Sequence, residues 1–185
     1  MARTIRTKVY KFSELSTKAK SKALENWAYE TEYFGADECL DSLKKFADHF
    51  ECELKDYEID WNSKHGSSAE FKTPYSYDET DGEGEFFGEN WLKNKIEEMG
   101  DYDKDTFKGF GDCVFTGVCY DEDVADGARK AYFEGTRDLN DILQAGFESL
   151  MDSAEKDYEF QQGEEFFADH CEANEYEFTQ DGRRF

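Results

Sequence analysis

Residues 36–61 read ADECLDSLKKFADHFECELKDYEIDW, and the hydrophobic period changes once inside this stretch. Ala36, Cys39, Leu40, Leu43, Phe46, Ala47 and Phe50 recur at steps of three and four, the apolar stripe of an amphipathic helix. Farther along the step becomes two. Tyr57, Ile59 and Trp61 alternate with Glu58 and Asp60, as in a strand buried on one face. Asn62 to Ser68, with Gly66 inside it, reads as a loop, and Ala69 and Phe71 as a returning strand. The spacing predicts one helix followed by a β-hairpin over 53–72.

Toward the N-terminus, Thr4–Phe12 alternates and is rich in β-branched and aromatic residues, which predicts a short strand. Ser16 has the position of an N-cap. Ala19, Ala23, Leu24, Trp27 and Ala28 then share one face of a helix that should end near Gly35. Toward the C-terminus, residues 73–90 are acidic and turn-rich and predict a mobile loop. Trp91, Leu92, Ile96 and Met99 suit a short helix stopped by Gly100. Cys113–Tyr120 reads as a buried strand, followed by an acidic turn at 121–123 and a helix through Val124, Ala128, Ala131 and Tyr132. Asp138 should cap the longest helix, which places Leu139, Ile142, Leu143, Phe147, Leu150, Met151, Ala154 and Tyr158 on one face. A last short helix holds Phe166, Phe167 and Cys171, and an Asp181-Gly182 turn precedes Phe185. Helices and strands do not alternate in βαβ order. The expectation is a single α+β domain over 1–185, a small antiparallel sheet or hairpins packed with about five helices.

The 185 residues include 45 acidic and 22 basic side chains, a formal net charge of −23. Aromatic residues reach 17%, far above the level of chains that stay unfolded, so this acidic chain should fold. No apolar run approaches the roughly 18 residues of a membrane helix. The basic start lacks the apolar stretch of a secretory signal. Five cysteines at 39, 52, 113, 119 and 171 form no disulfide framework and read as reduced thiols in a cytosol. A phosphate backbone demands a cationic surface, so direct binding of nucleic acid is disfavoured. The more natural partner is a basic protein, or the nucleic-acid groove of one.

The charge is uneven. Residues 1–30 carry +4, residues 73–107 carry −8 and residues 121–181 carry −15. Within the acidic stretches, Glu79, Asp81 and Glu83 fall at the first three ligand positions of a calcium-type loop. The twelfth position is Asn90 rather than a bidentate glutamate, so a solvated loop is favoured and no metal is expected. Asp121, Glu122, Asp123 and Asp126 could hold Mg²⁺, but capping the helix that follows explains them better. No Cys-x-x-Cys pair supports zinc, and buried cysteines acting as small hydrophobes explain those positions better. No Gly-x-Ser-x-Gly elbow supports nucleophilic catalysis, and His49, beside an apolar helix face, takes a structural role by default. Gly82-Glu83-Gly84 is followed by acids that would repel a phosphate. No catalytic residue and no cofactor is predicted.

Three blocks carry a resemblance. Val9-Tyr10-x-Phe12-x-Glu14-Leu15-Ser16-x-x-Ala19-x-x-x-Ala23 resembles the start of small acidic proteins encoded by tailed phages and prophages. Trp61 followed by Gly66-Ser67-Ser68-Ala69-x-Phe71 is similar to their central hairpin, and 173–185 to their closing segment. The resemblance implies a phage protein in the cytoplasm of an infected bacterium. Such proteins without catalytic motifs are often anti-restriction or anti-CRISPR inhibitors, some similar to duplex DNA in charge and shape. The expected function is therefore non-catalytic inhibition of a host defence nuclease, with a CRISPR effector ahead of a restriction enzyme. Glu79, Asp81, Glu83, Glu85, Asp121, Glu122 and Asp123 are the candidate contacts. The alternatives are a host-takeover or accessory protein with a non-defence target, a self-assembling phage component, and a metal-dependent hydrolase or nuclease.

Overall fold

The Ser16 hydroxyl accepts a hydrogen bond from the Ala19 amide at 3.3 Å, and the first helix, α1, runs Thr17–Glu30 in the computed structural model. The structure describes residues 7–73, 89–103, 105–106, 108–109 and 113–185. Among these residues the architecture is α+β, with six α-helices and one two-stranded antiparallel sheet. After α1 come α2 (Ala36–His49), β1 (Glu53–Glu58), β2 (Ser68–Lys72), α3 (Glu89–Glu98), α4 (Tyr120–Phe133), α5 (Leu139–Gln161) and α6 (Glu164–Ala173). By contact density the chain divides into two units. One holds the described residues up to Tyr33 together with Asp157–Phe185, and the other is Phe34–Lys156.

In the first unit, Ala19, Ala23 and Trp27 of α1 are buried with Phe12, Leu15, Phe167, Cys171 and Phe178. Aromatic edges dominate this core. The Phe12 and Phe167 rings meet edge-on at 4.9 Å, and the Trp27 indole donates to the Gln161 carbonyl at 3.1 Å, so its one polar atom is satisfied. The predicted face of α1 holds except at Ala28, which is exposed, and the helix stops at Glu30 rather than near Gly35. The strand expected at Thr4–Phe12 is replaced, in its described part, by a single bridge between Tyr10 and Phe178, after which a 3₁₀ turn covers Phe12–Glu14. The Lys11 amide donates to the Glu14 carboxylate at 2.8 Å, and that local bond turns the chain where alternation alone would have extended it.

In the second unit the stripe of α2 is buried at Cys39, Leu43, Phe46 and Ala47, and Phe50 follows it inward. The Asp141 amide donates to the Asp138 carboxylate at 3.0 Å, which caps α5 as the sequence predicts. Helices α4 and α5 approach closely. A Cβ at Gly127 would sit 2.3 Å from the Ala145 carbonyl oxygen, and one at Gly146 would sit 2.6 Å from the Phe46 ring. The hairpin over 53–72 forms, but its first strand ends at Glu58, leaves Ile59 and Trp61 beyond it and exposes Tyr57, so the expected buried face of Tyr57, Ile59 and Trp61 is not found.

The strand expected at Cys113–Tyr120 is absent. Residues 115–118 bend, Val114 is exposed, and α4 begins at Tyr120, one turn earlier than predicted. The cause lies in Asp121, one of the predicted contacts.

Candidate partner-binding surface

The three consecutive acids at the head of α4 have different surroundings. Asp121 is wholly buried. One carboxylate oxygen accepts from the Ser42 hydroxyl at 2.7 Å and the Thr116 hydroxyl at 2.9 Å. The other accepts from the amides of Phe115, Thr116 and Gly117 at 2.9, 2.7 and 3.0 Å. Burial works against its charge, but the donors of Ser42, Thr116 and Phe115 outweigh burial and hold the carboxyl below its ordinary range. Three amides aimed at one carboxylate cannot also form a sheet ladder, so 115–117 is a bend. Asp121 is therefore an internal clasp and leaves the set of surface contacts.

Glu122 and Asp123 are half-buried and remain available. Asp123 accepts from the Ser153 hydroxyl at 2.8 Å, yet burial, together with the nearby Asp126 and Glu122 charges, pushes its carboxyl above the ordinary range. The capping role expected for Asp121 or Asp123 is not found, since no side chain caps α4 and both acids lie inside its first turn. Negative charge there still suits the positive end of the helix dipole. Glu79, Asp81, Glu83 and Glu85, the calcium-like loop and most of the predicted mobile segment lie outside the described residues.

A second acidic surface was not singled out from the sequence. The pairing Asp56↔Glu70 and Glu58↔Ser68 puts two carboxylates of β1 and one of β2 on exposed positions, with Glu53 opposite Lys72 at the far end. A bulge between Leu54 and Asp56 leaves Lys55 as the extra residue, and its ammonium bridges to Glu70. Lys72 lies 3.6 Å from Glu53. Asp56 and Glu58 have no ion-pair partner among the described residues. Like charges directly opposite one another, as at Asp56 and Glu70, oppose pairing, while the Lys55–Glu70 and Lys72–Glu53 ion pairs across the hairpin support it. Of its members only Glu58 fell on a polar position of the alternation between Tyr57 and Trp61.

Beside the hairpin is a cleft of about 420 Å³, lined by the apolar Phe147, Met151 and Ala69 and by polar side chains that include His65, Glu148 and Asp152. Glu148 and Asp152 lie one helical turn apart on α5. Three of the reactive side chains, His49, Cys52 and Cys171, are built into the fold. His49 Nε2 lies 2.7 Å from the Lys95 carbonyl, its ring contacts Phe50 and Phe115, and burial lowers its proton affinity. Burial pushes the Cys52 and Cys171 thiols up to about 11, which makes them poor nucleophiles at neutral pH. Among the described residues no three His, Cys, Asp or Glu side chains are placed to share a metal ion. No described helix is long and apolar enough to cross a membrane.

Fold and surface together define an acidic α+β protein with a carboxylate-bearing hairpin. Compared with protein-family models, curated proteins and solved structures, the chain matches none.

Proposed function

We propose that the chain is a non-catalytic binding protein that engages a basic, nucleic-acid-holding surface of another protein. In its specific form it is a phage-encoded inhibitor of a host defence nuclease, with a CRISPR effector ahead of a restriction enzyme. The observation that carries the reading is where the charge lies. Phe34–Lys156 holds 32 acidic and 13 basic side chains, a net charge of −19, and its hairpin presents carboxylates on paired backbone. A groove built for nucleic acid places Lys and Arg to meet phosphates. Carboxylates fixed on a strand pair can meet the same groups, arginine bidentately, and long-range attraction speeds their encounter at low salt. The contact set under this reading is Asp56, Glu58, Glu70, Glu122 and Asp123.

Expression of the chain in bacteria protected by a CRISPR effector or a restriction enzyme should restore phage plating. The purified chain should compete with DNA for that effector, less well as salt rises. Reversing Asp56, Glu58 and Glu70 to lysine should abolish both effects while the circular dichroism spectrum is kept. Inhibition that survives the reversal unchanged would remove the hairpin from the mechanism, and failure to protect phage in any defended strain would remove the defence reading.

A further inference from the structure

The first unit contains a cleft of different character. Its volume is about 330 Å³, and it opens between α1, α6 and the closing segment. Trp27, Phe167 and Phe178 form its inner wall, with ring centroids 5.0 Å apart for the first two and 6.2 Å for the last two. Arg183 and Arg184 belong to its lining. Both sit on backbone that the fold holds in place. The Thr179 amide donates to the Arg183 carbonyl at 2.9 Å, the Phe185 amide donates to the Glu177 carbonyl at 2.8 Å, and Phe178 bridges Arg184. Gly182, at φ +85°, lets this turn lie on α1, where any Cβ would come within 2.1 Å of the Ala19 carbonyl oxygen.

The charge at this cleft runs against the rest of the chain. The Arg184 guanidinium lies over the Tyr176 ring, 4.8 Å from its centroid, and has no ion-pair partner among the described residues. Arg183 Nε lies 3.1 Å from Asp181, but Asp181 is shared with Lys22 at 3.3 Å. Lys22, Arg183 and Arg184 thus outnumber Asp181 and the lining Glu30 by one, in a chain of net charge −23. A guanidinium stacked on a ring keeps its donor edge free for an anion, and its plane extends the aromatic surface on which a second ring can lie.

We propose that this cleft binds a small molecule in which an anionic group is carried on a planar ring, an aromatic carboxylate or a nucleoside monophosphate. The ring packs along Tyr176 and the inner aromatic wall, the anion takes the fork of Arg184 with help from Arg183, and Asn26 meets a polar edge of the ring. The volume is that of a small-ligand pocket. The site is independent of the acidic hairpin and of the partner proposed for it.

Titration calorimetry and ligand-observed NMR on the full chain test the proposal with AMP, adenosine, inorganic phosphate and indole acetate as probes. At least one of AMP and indole acetate should bind, and which of them does so identifies the source of the anion. Adenosine and inorganic phosphate should each bind about tenfold or more weakly than AMP if AMP is the ligand. Arg184→Gln should weaken binding about tenfold, and Arg184→Lys, which keeps charge without the planar fork, should fall between. The proposal is overturned if neither AMP nor indole acetate binds. It is equally overturned if phosphate alone binds as well as AMP, or if Arg184→Gln leaves affinity unchanged in a chain of unaltered circular dichroism.

Discussion

The two units use charge in opposite ways. Over 62 residues the first carries thirteen acidic and nine basic side chains, net −4, and its core is a cluster of aromatic edges with cations over the partly buried Tyr10 and Tyr176 rings. Over 123 residues the second carries −19, places exposed carboxylates on its hairpin and buries one, Asp121, as the centre of a polar network. An acidic composition is thus not an acidic surface spread evenly. Most of the excess sits in one unit, and within it the most deeply buried carboxylate of the α4 cluster holds the fold while those on the hairpin face solvent. Composition located the excess but could not sort clasp from contact.

The largest effects should come from the two cores. Phe167 touches Phe12, Trp27 and Phe178, so Phe167→Ala should destabilise its unit by about 3–5 kcal/mol. Urea unfolding reads the loss, and hydrogen exchange should show lost protection in α1 and α6. Asp121→Ala strands three amides and two hydroxyls, and should cost about 3 kcal/mol with lost protection at 115–117. Because the folded state holds Asp121 below its ordinary range, its stabilisation is present above a pH of about 4 and fades as pH falls from there toward the folded value. The gap between wild type and Asp121→Ala should close in that acid range. If Asp121→Ala keeps wild-type stability at neutral pH, Asp121 is not a clasp.

What could be read in advance follows from how local each signal is. The Ser16 and Asp138 caps each close a bond three residues long, the stripe of α2 repeats within one helix, and the hairpin strands lie side by side, so all were legible. Cys113–Tyr120 was not, because the group that bends it takes part of its support from Ser42, 79 residues away in the chain. The apolar pattern there said strand, and a carboxylate a few residues downstream, braced by the distant Ser42, overrode it. The same holds for the candidate site. Asp121, Glu122 and Asp123 look alike as a run, and only the position of Ser42, Thr116 and Ser153 separates them. The acidic hairpin face was not legible, since the alternation predicted a buried partner face at Tyr57, which is exposed, and polar strand positions carry no label of their own.

A smaller effect separates stability from binding on that hairpin. Removing the Asp56–Glu70 opposition by Asp56→Thr should leave stability unchanged or raise it by a few tenths of a kcal/mol, since like charges facing across a strand pair oppose it and threonine suits a strand. Glu58→Lys should weaken capture of the defence protein by roughly 1 kcal/mol, more at low salt than at high. A hairpin kept for its fold would give the reverse pattern, with Asp56→Thr destabilising and Glu58→Lys silent in binding.

A comparably small effect tests the α4 acids as a divided set. Asp123 is pushed above the ordinary carboxylate range by burial and by Asp126 and Glu122, the opposite of its neighbour two residues earlier. A raised folded value means the folded chain holds the proton more tightly than the unfolded one. The charged side chain therefore costs stability at neutral pH, a cost that sets in as pH rises from the ordinary value through the raised one. Asp123→Asn keeps an acceptor for the Ser153 hydroxyl and removes the charge, so it should stabilise by less than about 1 kcal/mol at pH 7. That gain should vanish near pH 4, where wild type carries the proton itself. Paired melts of Asp121→Asn and Asp123→Asn across this range should move in opposite directions at neutral pH and converge in acid. Parallel shifts would mean the run acts as one charge cluster, and the division between clasp and surface would fail.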